Sequence, residues 1–132
     1  MFAMFILTFT VLFRLFRLRS KLVAEGRIDP AYFSVYQGAQ EPMASAQLSR
    51  HFTNLHEAPV LFYVCCLAAI ATKATGLAFL LLAWGYVVVR AMHTLIHTGK
   101  NELWPRIYAY FGSWIVLLAM WLLLVVRVAS IS

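Results

Sequence analysis

Residues 76–97 read GLAFLLLAWGYVVVRAMHTLIH, an apolar stretch about as long as an α-helix that crosses a lipid bilayer. Comparable stretches lie before and after it, and short polar segments separate them. This pattern predicts an all-α fold, an integral membrane bundle of four helices. The predicted spans cover about residues 1–25, 45–74, 76–98 and 105–128.

The composition indicates a lipid environment. Of 132 residues, 63% are hydrophobic and 12% are charged, whereas a soluble domain has about 45–50% apolar and about 25% charged residues. A soluble fold of this size cannot bury so much apolar surface, so bilayer lipid is the expected solvent. Four spans account for nearly the whole chain, which predicts a single domain over residues 1–132 with no separate soluble module.

The N-terminal stretch and the two cysteines are interpreted as structural. The apolar residues from Met1 to Phe13 follow no basic segment and precede no small-residue cleavage site, so they are predicted to be a retained first span. Cys65 and Cys66 are adjacent within an apolar run, where neighbouring helical side chains point in different directions. They are predicted to be packing residues, with no disulfide or metal motif.

Basic residues predict the orientation in the membrane. Four spans place the first and third connections on one side, and both termini with the second connection on the other. The net charge is +6, and most basic residues lie on the first side, whereas the second side has Lys73 and Arg127. By the positive-inside rule, the first side is predicted to be cytoplasmic. The basic residues do not alternate with aromatic residues along a polar face, so no nucleic-acid partner is predicted.

Turn and cap signals delimit the spans. The longest connection runs from Gly26 to Ala44, and Pro59 removes a backbone donor inside span two, which predicts a kink. The predicted turn and cap positions are Asp29-Pro30, Gly38, Glu41-Pro42, Thr75-Gly76, Thr98-Gly99 and Trp104-Pro105.

Polar side chains recur at helical spacing at the predicted cytoplasmic ends of the spans, and the topology brings them to one depth. Ionisable groups inside a span are costly, so they usually pair with each other or with a ligand. Glu57 can neutralise only one of several arginines, so the surplus positive charge suits a multiply anionic guest. The stripes are Arg50, Asn54 and Glu57; Arg90, His93 and His97; and Arg106, Tyr110 and Ser113, with Arg14 and Arg17 at the end of span one.

Two alternatives accompany this interpretation. Arg14, Arg19 and Arg27 lie near helix ends, where arginines often extend to lipid headgroups without binding a ligand. The i, i+4 spacing of His93 and His97 also suits a metal or a haem, with a further histidine from span two. No carboxylate-rich or thiolate set surrounds these histidines, so no metal is predicted, and a hydrogen-bonded structural role is favoured for at least one of them.

Three stretches resemble the MAPEG family, the membrane-associated proteins of eicosanoid and glutathione metabolism, and the resemblance covers nearly the whole chain. The first is similar to the basic exit from span one in prostaglandin E synthase-like members, the second to the N-x-x-E signature, and the third has family-like spacing. The chain looks like a bacterial-type member related to microsomal glutathione transferases. The stretches are Arg17-Leu18-Arg19-Ser20-Lys21; Arg50, Asn54-Leu55-His56-Glu57 and Pro59; and Arg90-Ala91-Met92-His93-Thr94, followed by Lys100, Arg106 and Tyr110.

The resemblance implies a homotrimer in the bacterial inner membrane, surrounded by lipid, that binds glutathione as cofactor between neighbouring protomers near the cytoplasmic face. Arg106 would stabilise the thiolate, because a nearby cation lowers the pKa of a thiol. From the chemistry of histidine, and not from the resemblance, His97 is expected to donate a hydrogen bond to the sulfur or to act as a general base. The residues expected to hold glutathione are Arg17, Asn54, Glu57, Arg90, His93 and Tyr110.

The chain departs from the family pattern at three positions and in one spacing. His97 stands where many glutathione-using members have tyrosine, Thr53 where some have arginine, and Ile107 where some have serine. The spacing of Glu57 and Pro59 is also tighter than in the eicosanoid enzymes. These differences argue against prostaglandin isomerisation.

Three functions follow as hypotheses. The first is a glutathione-dependent transferase or peroxidase acting on a lipophilic small-molecule substrate that enters from the bilayer. The second is a non-catalytic scaffold that binds a lipid or ligand, which His97 and Thr53 favour. The third is a small multidrug exporter with Glu57 as its membrane carboxylate, although arginines around that carboxylate would repel a cationic substrate.

Overall fold

A computed structural model describes residues 1–36 and 41–130, which include six helices and no strand. The predicted all-α class is therefore confirmed. The predicted turn at Gly38 lies outside the described residues. The helices are α1 (Phe2–Ala24), α2 (Tyr32–Val35), α3 (Met43–Asn54), α4 (Ala58–Ala71), α5 (Leu77–Thr98) and α6 (Leu103–Ala129).

Within residues 1–36 and 41–130, three stretches are long and apolar enough to cross a membrane: Met43–Ala71, Leu77–Thr98 and Leu103–Ala129. Large apolar side chains cover their outer surfaces, and Leu95 and Ile115 are about 70% exposed. A soluble protein rarely leaves an apolar patch of that extent in water. The chain is therefore an integral membrane protein. Helix α1 has comparable length but is basic in its second half, so a fourth crossing stays a prediction.

The second span is not one continuous helix, which corrects the sequence expectation. Helix α3 ends at Asn54, α4 begins at Ala58, and the backbone turns between them. The kink predicted from Pro59 is thus a complete interruption, with Pro59 in the first turn of α4, where its missing N–H has no helical partner to lose. The interruption separates a polar segment, α3, from a wholly apolar one, α4.

Helices α5 and α6 form an antiparallel hairpin, and α1 packs against α3 and α5. Helix α5 ends at Thr98 with Gly99 as its C-cap, as predicted, and α6 begins two residues before the predicted Pro105. The main core joins α1, α4, α5 and α6 through fully buried side chains. These include Met4, Val11, Phe62, Cys65, Tyr86 and Met120.

The connection between α1 and α3 is tied to α1 by an ion pair. Arg19 Nη2 lies 3.1 Å from Glu41 Oε1, and Ser45 donates a hydrogen bond to the same carboxylate oxygen. The Arg19 guanidinium also lies 4.8 Å from the centre of the Phe33 ring. These contacts give Arg19 a structural role and place the start of α3 beside the basic end of α1.

Candidate functional site

A cavity of about 620 Å³ opens between α3, the C-terminal half of α5 and the start of α6. Its volume is in the range typical of small-molecule sites. We call it the polar cavity. It is lined by Met43, Gln47, Arg50, Thr53, Asn54, His93, His97, Asn101, Arg106, Ile107 and Tyr110.

Helix α3 contributes one wall of the polar cavity. Met43, Gln47, Arg50 and Asn54 recur at spacings of three and four residues, so a single helical face presents them. The Gln47 side-chain amide donates a hydrogen bond to the carbonyl oxygen of His97 and so joins this wall to α5.

Arg106 is held in place at the opposite wall. Its Nη1 atom donates a hydrogen bond to Asn101 Oδ1 at 2.6 Å. Asn101 has a φ of 53°, a left-handed conformation that asparagine tolerates better than most residues. The short connection between α5 and α6 therefore orients the guanidinium that the sequence identified, and Tyr110 follows it one helical turn later.

The polar cavity has a strongly asymmetric charge. Two arginines, Arg50 and Arg106, line it, and no Asp or Glu of the described residues does. The three salt bridges found among those residues involve Arg19, Lys21 and Arg27 and lie elsewhere. The cavity can therefore accept an anion, because guanidinium groups bind carboxylates through charge-assisted hydrogen bonds.

Arg90 does not line the polar cavity, although the sequence placed it among the glutathione-binding residues. It is fully buried, and its Nη2 atom donates a hydrogen bond to the main-chain carbonyl oxygen of Asn54 at 2.9 Å. Its Nε and Nη1 atoms have no partner among the described residues. Arg90 thus binds the end of α3, where the helix leaves a carbonyl without an intrahelical partner.

Two other predicted ligand residues lie outside the polar cavity. Glu57 is exposed in the interruption between α3 and α4, so it does not share a helical face with Arg50 and Asn54 as predicted. Arg17 is exposed, with its guanidinium 5.8 Å from the centre of the Phe13 ring. The structure therefore brings Asn54, His93, His97, Arg106 and Tyr110 together around one cavity. Arg17 and Glu57 lie outside it, and Arg90 lies outside its lining but is hydrogen-bonded to the Asn54 carbonyl oxygen.

Aromatic side chains indicate the depth of the polar cavity in the membrane. Trp104 and Tyr108 are exposed at the start of α6, and their ring centroids lie 6.2 Å apart. Tryptophan and tyrosine are enriched at the boundary between lipid and water. Arg106 and Ile107 lie between these two rings in the sequence, so the cavity opens near that boundary.

Sequence reasoning missed three lining residues, Met43, Gln47 and Asn101. Gln47 could have been predicted from the sequence, because it precedes Arg50 by three residues on the same helical face. Asn101 could not, because its role depends on the left-handed backbone conformation of a loop. The described residues contain no group of three or more His, Cys, Asp or Glu side chains arranged to hold a metal ion.

Comparison with known protein families gives a match over nearly the whole chain. The sequence profile of the MAPEG family matches residues 1–126. Searches of the curated proteins and of the solved structures found no match.

Proposed function

The chain belongs to the MAPEG family, and we propose that it is a membrane-bound, glutathione-dependent transferase or peroxidase acting on lipophilic electrophiles. The observation that carries the proposal is the polar cavity, which is lined by Arg50 and Arg106 and by no Asp or Glu of the described residues. Glutathione has two carboxylates, two amides and a thiol, which suit guanidinium, amide and phenol side chains. A lipophilic acceptor dissolved in the bilayer would reach the polar cavity laterally, at the boundary between lipid and water.

Arg106 and His97 are the proposed catalytic residues. A cation near the glutathione sulfur favours the thiolate, which is the nucleophilic form. Arg106 suits this role because Asn101 orients its guanidinium. His97 would accept the thiol proton or donate a hydrogen bond to the sulfur. Asn54, His93 and Tyr110 would hold the remainder of glutathione from the same cavity.

Both reactions use the same thiolate. In conjugation, the sulfur forms a bond to an electrophilic carbon, and the leaving group departs with its electron pair. In peroxide reduction, the sulfur attacks a hydroperoxide oxygen, the O–O bond breaks and an alcohol leaves. A second glutathione then reduces the sulfenate, and the proton that the first thiol lost returns, which yields the disulfide and water.

The assembly and the orientation belong to the same proposal. We infer a homotrimer whose protomers each cross the bacterial inner membrane four times, with the polar cavity at the cytoplasmic face. The basic residues at the end of α1 support this orientation by the positive-inside rule. In such an assembly, a neighbouring protomer would complete the open side of the cavity, and exposed Arg17 would be available there.

A non-catalytic scaffold is the second candidate, and three lining residues favour it. His97 differs from the residue of many glutathione-using members, Thr53 and Ile107 differ from the residues of some, and all three line the polar cavity. These differences therefore fall within the site itself. An exporter is not favoured, because Glu57 is exposed at a helix end and lies outside the polar cavity.

Isothermal titration of glutathione into the detergent-purified protein tests the proposal. We expect micromolar to low millimolar binding by wild type and at least about tenfold weaker binding by Arg106→Ala, since a charge-assisted hydrogen bond contributes about 1.5–3 kcal/mol. Arg27→Ala is the matched control, because Arg27 pairs with Glu25 and lies outside the polar cavity. This variant should bind like wild type.

Activity is measured on the same samples with a chloronitroarene and an alkyl hydroperoxide. No binding by folded wild type would favour the scaffold. Binding without turnover of either acceptor would contradict the proposed catalysis but would still support glutathione as the ligand.

A further inference from the structure

Two amide side chains give the polar cavity a direction. Gln47 lines the cavity from α3, and Asn101 lines it from the connection between α5 and α6. Each amide forms one hydrogen bond with the protein. An amide nitrogen only donates hydrogen bonds and an amide oxygen only accepts them. The protein partner of each amide therefore determines which of its two polar atoms is left for a guest.

Gln47 retains an acceptor. Its side-chain nitrogen donates a hydrogen bond to the main-chain carbonyl oxygen of His97, in the last turn of α5. Carbonyl oxygens at a helix end lack an intrahelical partner, and that of Leu95 accepts the N–H of Gly99 instead. Because a carbonyl oxygen only accepts, the orientation of the Gln47 amide is fixed. Its Oε1 atom forms no hydrogen bond within residues 1–36 and 41–130 and is left for a guest.

Asn101 has the opposite polarity. Its Oδ1 atom accepts the hydrogen bond from Arg106 Nη1. A guanidinium group only donates, so the orientation of this amide is fixed as well, and its nitrogen is the atom left for a guest. The side of the cavity beside Arg106 thus carries donors, whereas α3 carries a fixed acceptor at Gln47. A positively charged group of a guest is therefore expected at Gln47 and not beside Arg106.

Arg50 completes the recognition surface on α3. It follows Gln47 by three residues and lines the same cavity. Side chains at this spacing are neighbours on a helix, with Cβ atoms about 5–6 Å apart. Arg50 Nε donates a hydrogen bond to the carbonyl oxygen of Ala46 at 3.3 Å, so the two Nη atoms carry its remaining donors. An acceptor beside a guanidinium group matches an α-amino acid, which carries an ammonium and a carboxylate on one carbon atom.

The ammonium of glutathione has few partners in the polar cavity. No Asp or Glu of the described residues lines the cavity, so the ammonium needs a neutral acceptor. Asn101 Oδ1 already accepts a hydrogen bond from Arg106. The Asn54 amide can turn either of its polar atoms to a guest, whereas the free atom of Gln47 is fixed as an acceptor. Gln47 is therefore the amide best prepared for the ammonium.

From this arrangement we infer that Gln47 and Arg50 bind the γ-glutamyl end of glutathione, with the ammonium at Gln47 Oε1 and the α-carboxylate at Arg50. The inference rests on the proposed glutathione function and makes the ammonium one of the groups that the site recognises. Arg106 and His97 remain available to the sulfur. The ligand class is thus a thiol that carries a free α-amino acid group, because a thiol without the ammonium lacks the contact with Gln47.

The test compares two ligands in each protein. Deaminated glutathione, glutaryl-cysteinylglycine, has hydrogen in place of the ammonium and keeps both carboxylates, both amides and the thiol. The affinity for glutathione divided by the affinity for this analogue is the ammonium ratio. It isolates the ammonium contact, because a substitution that shifts α3 or α5 weakens both ligands alike. Isothermal titration into the detergent-purified protein gives both dissociation constants.

Gln47→Met removes the acceptor without a change in charge and keeps a side chain of similar length. The ammonium ratio should fall about tenfold, since a hydrogen bond to a charged group is lost. Gln47→Asn is the second variant and serves if Gln47→Met does not fold. Its shorter side chain keeps an amide in the wall but withdraws the acceptor, so the ratio should fall in the same direction.

Ser49→Ala is the matched control. Ser49 lies on the same helix, accepts a hydrogen bond from Arg19 Nη2 and does not line the polar cavity. The substitution removes a neutral polar group, as Gln47→Met does. The ammonium ratio of this variant should stay within about twofold of wild type, because the change is remote from the ligand.

The outcomes separate this inference from the proposed function. If folded wild type does not bind glutathione, the proposed function fails and the inference fails with it. If wild type binds glutathione and both Gln47 variants keep the ammonium ratio within about twofold, the inference alone is overturned. An equal fall of the ratio in Ser49→Ala would also overturn it, because the loss would then not depend on Gln47.

Discussion

Two cavities lie along α5, and they differ in chemical character. The polar cavity, of about 620 Å³, meets the C-terminal half of this helix at His93 and His97. A second space of about 440 Å³, the apolar groove, meets the N-terminal half at Leu80 and Trp84. The arginine and the histidines of α5 thus all lie in its C-terminal half, whereas its N-terminal half is almost wholly apolar. We therefore expect charged ligands to bind at the C-terminal end of α5, and lipid or other apolar groups to contact its N-terminal end.

The interrupted second span produces the same separation on the neighbouring helices. Polar α3 lines the polar cavity with Gln47 and Arg50, whereas α4 contributes Phe62 to the apolar groove. The remaining wall of the groove is the apolar start of α1, Met1 to Ala3. The two halves of the second span therefore contribute to different cavities, the polar half to one and the apolar half to the other.

Replacing one residue in each cavity gives the largest expected contrast. Arg50→Ala should weaken glutathione binding about tenfold, because it removes a charge-assisted contact of about 1.5 kcal/mol. Trp84→Ala, in the apolar groove, should keep the affinity within about twofold, since distant sites act independently. Isothermal titration measures both. Equal weakening by the two variants would contradict the proposal that glutathione binds in the polar cavity and not in the apolar groove.

Arg90→Met tests whether a buried residue outside the polar cavity supports it. The change removes the hydrogen bond to the Asn54 carbonyl oxygen, so the end of α3 should shift and glutathione affinity should fall about fivefold. Thermal stability in detergent should not fall, because methionine replaces a buried cation of which two nitrogens have no partner in the described part of the chain. Unchanged affinity in the folded variant would show that Arg90 does not position Asn54.

Tyr86→Phe gives the smallest expected effect and concerns the region between the two cavities. The Tyr86 hydroxyl is buried without a partner among the described residues, and its ring stacks on Phe62 at 4.5 Å. Removing the hydroxyl should raise the free energy of unfolding by about 1 kcal/mol and leave glutathione binding unchanged. Tyr63→Phe is the matched control, because Tyr63 is only partly buried, so removing its hydroxyl should not raise the free energy of unfolding. Denaturant unfolding in detergent measures both.

The site was partly predictable because helical spacing is a local property. Asn54, His93, His97, Arg106 and Tyr110 were selected from spacing and resemblance, and these five residues line one cavity. Glu57 was placed wrongly on the Asn54 face because a continuous helix was assumed where the backbone turns. Pro59 signalled a kink there but not how far the backbone would turn.

The sequence alone determined the membrane character, the all-α class, the end of α5 at Thr98 and the concentration of basic residues at one end of the spans. These features depend on apolar run length and on local capping. The tertiary structure decided that Arg90 turns inward to Asn54, that Asn101 orients Arg106 and that His51 joins His93 and His97. Such contacts depend on how helices distant in sequence rotate and pack, because a buried polar group takes whichever partner the packing brings within hydrogen-bonding distance.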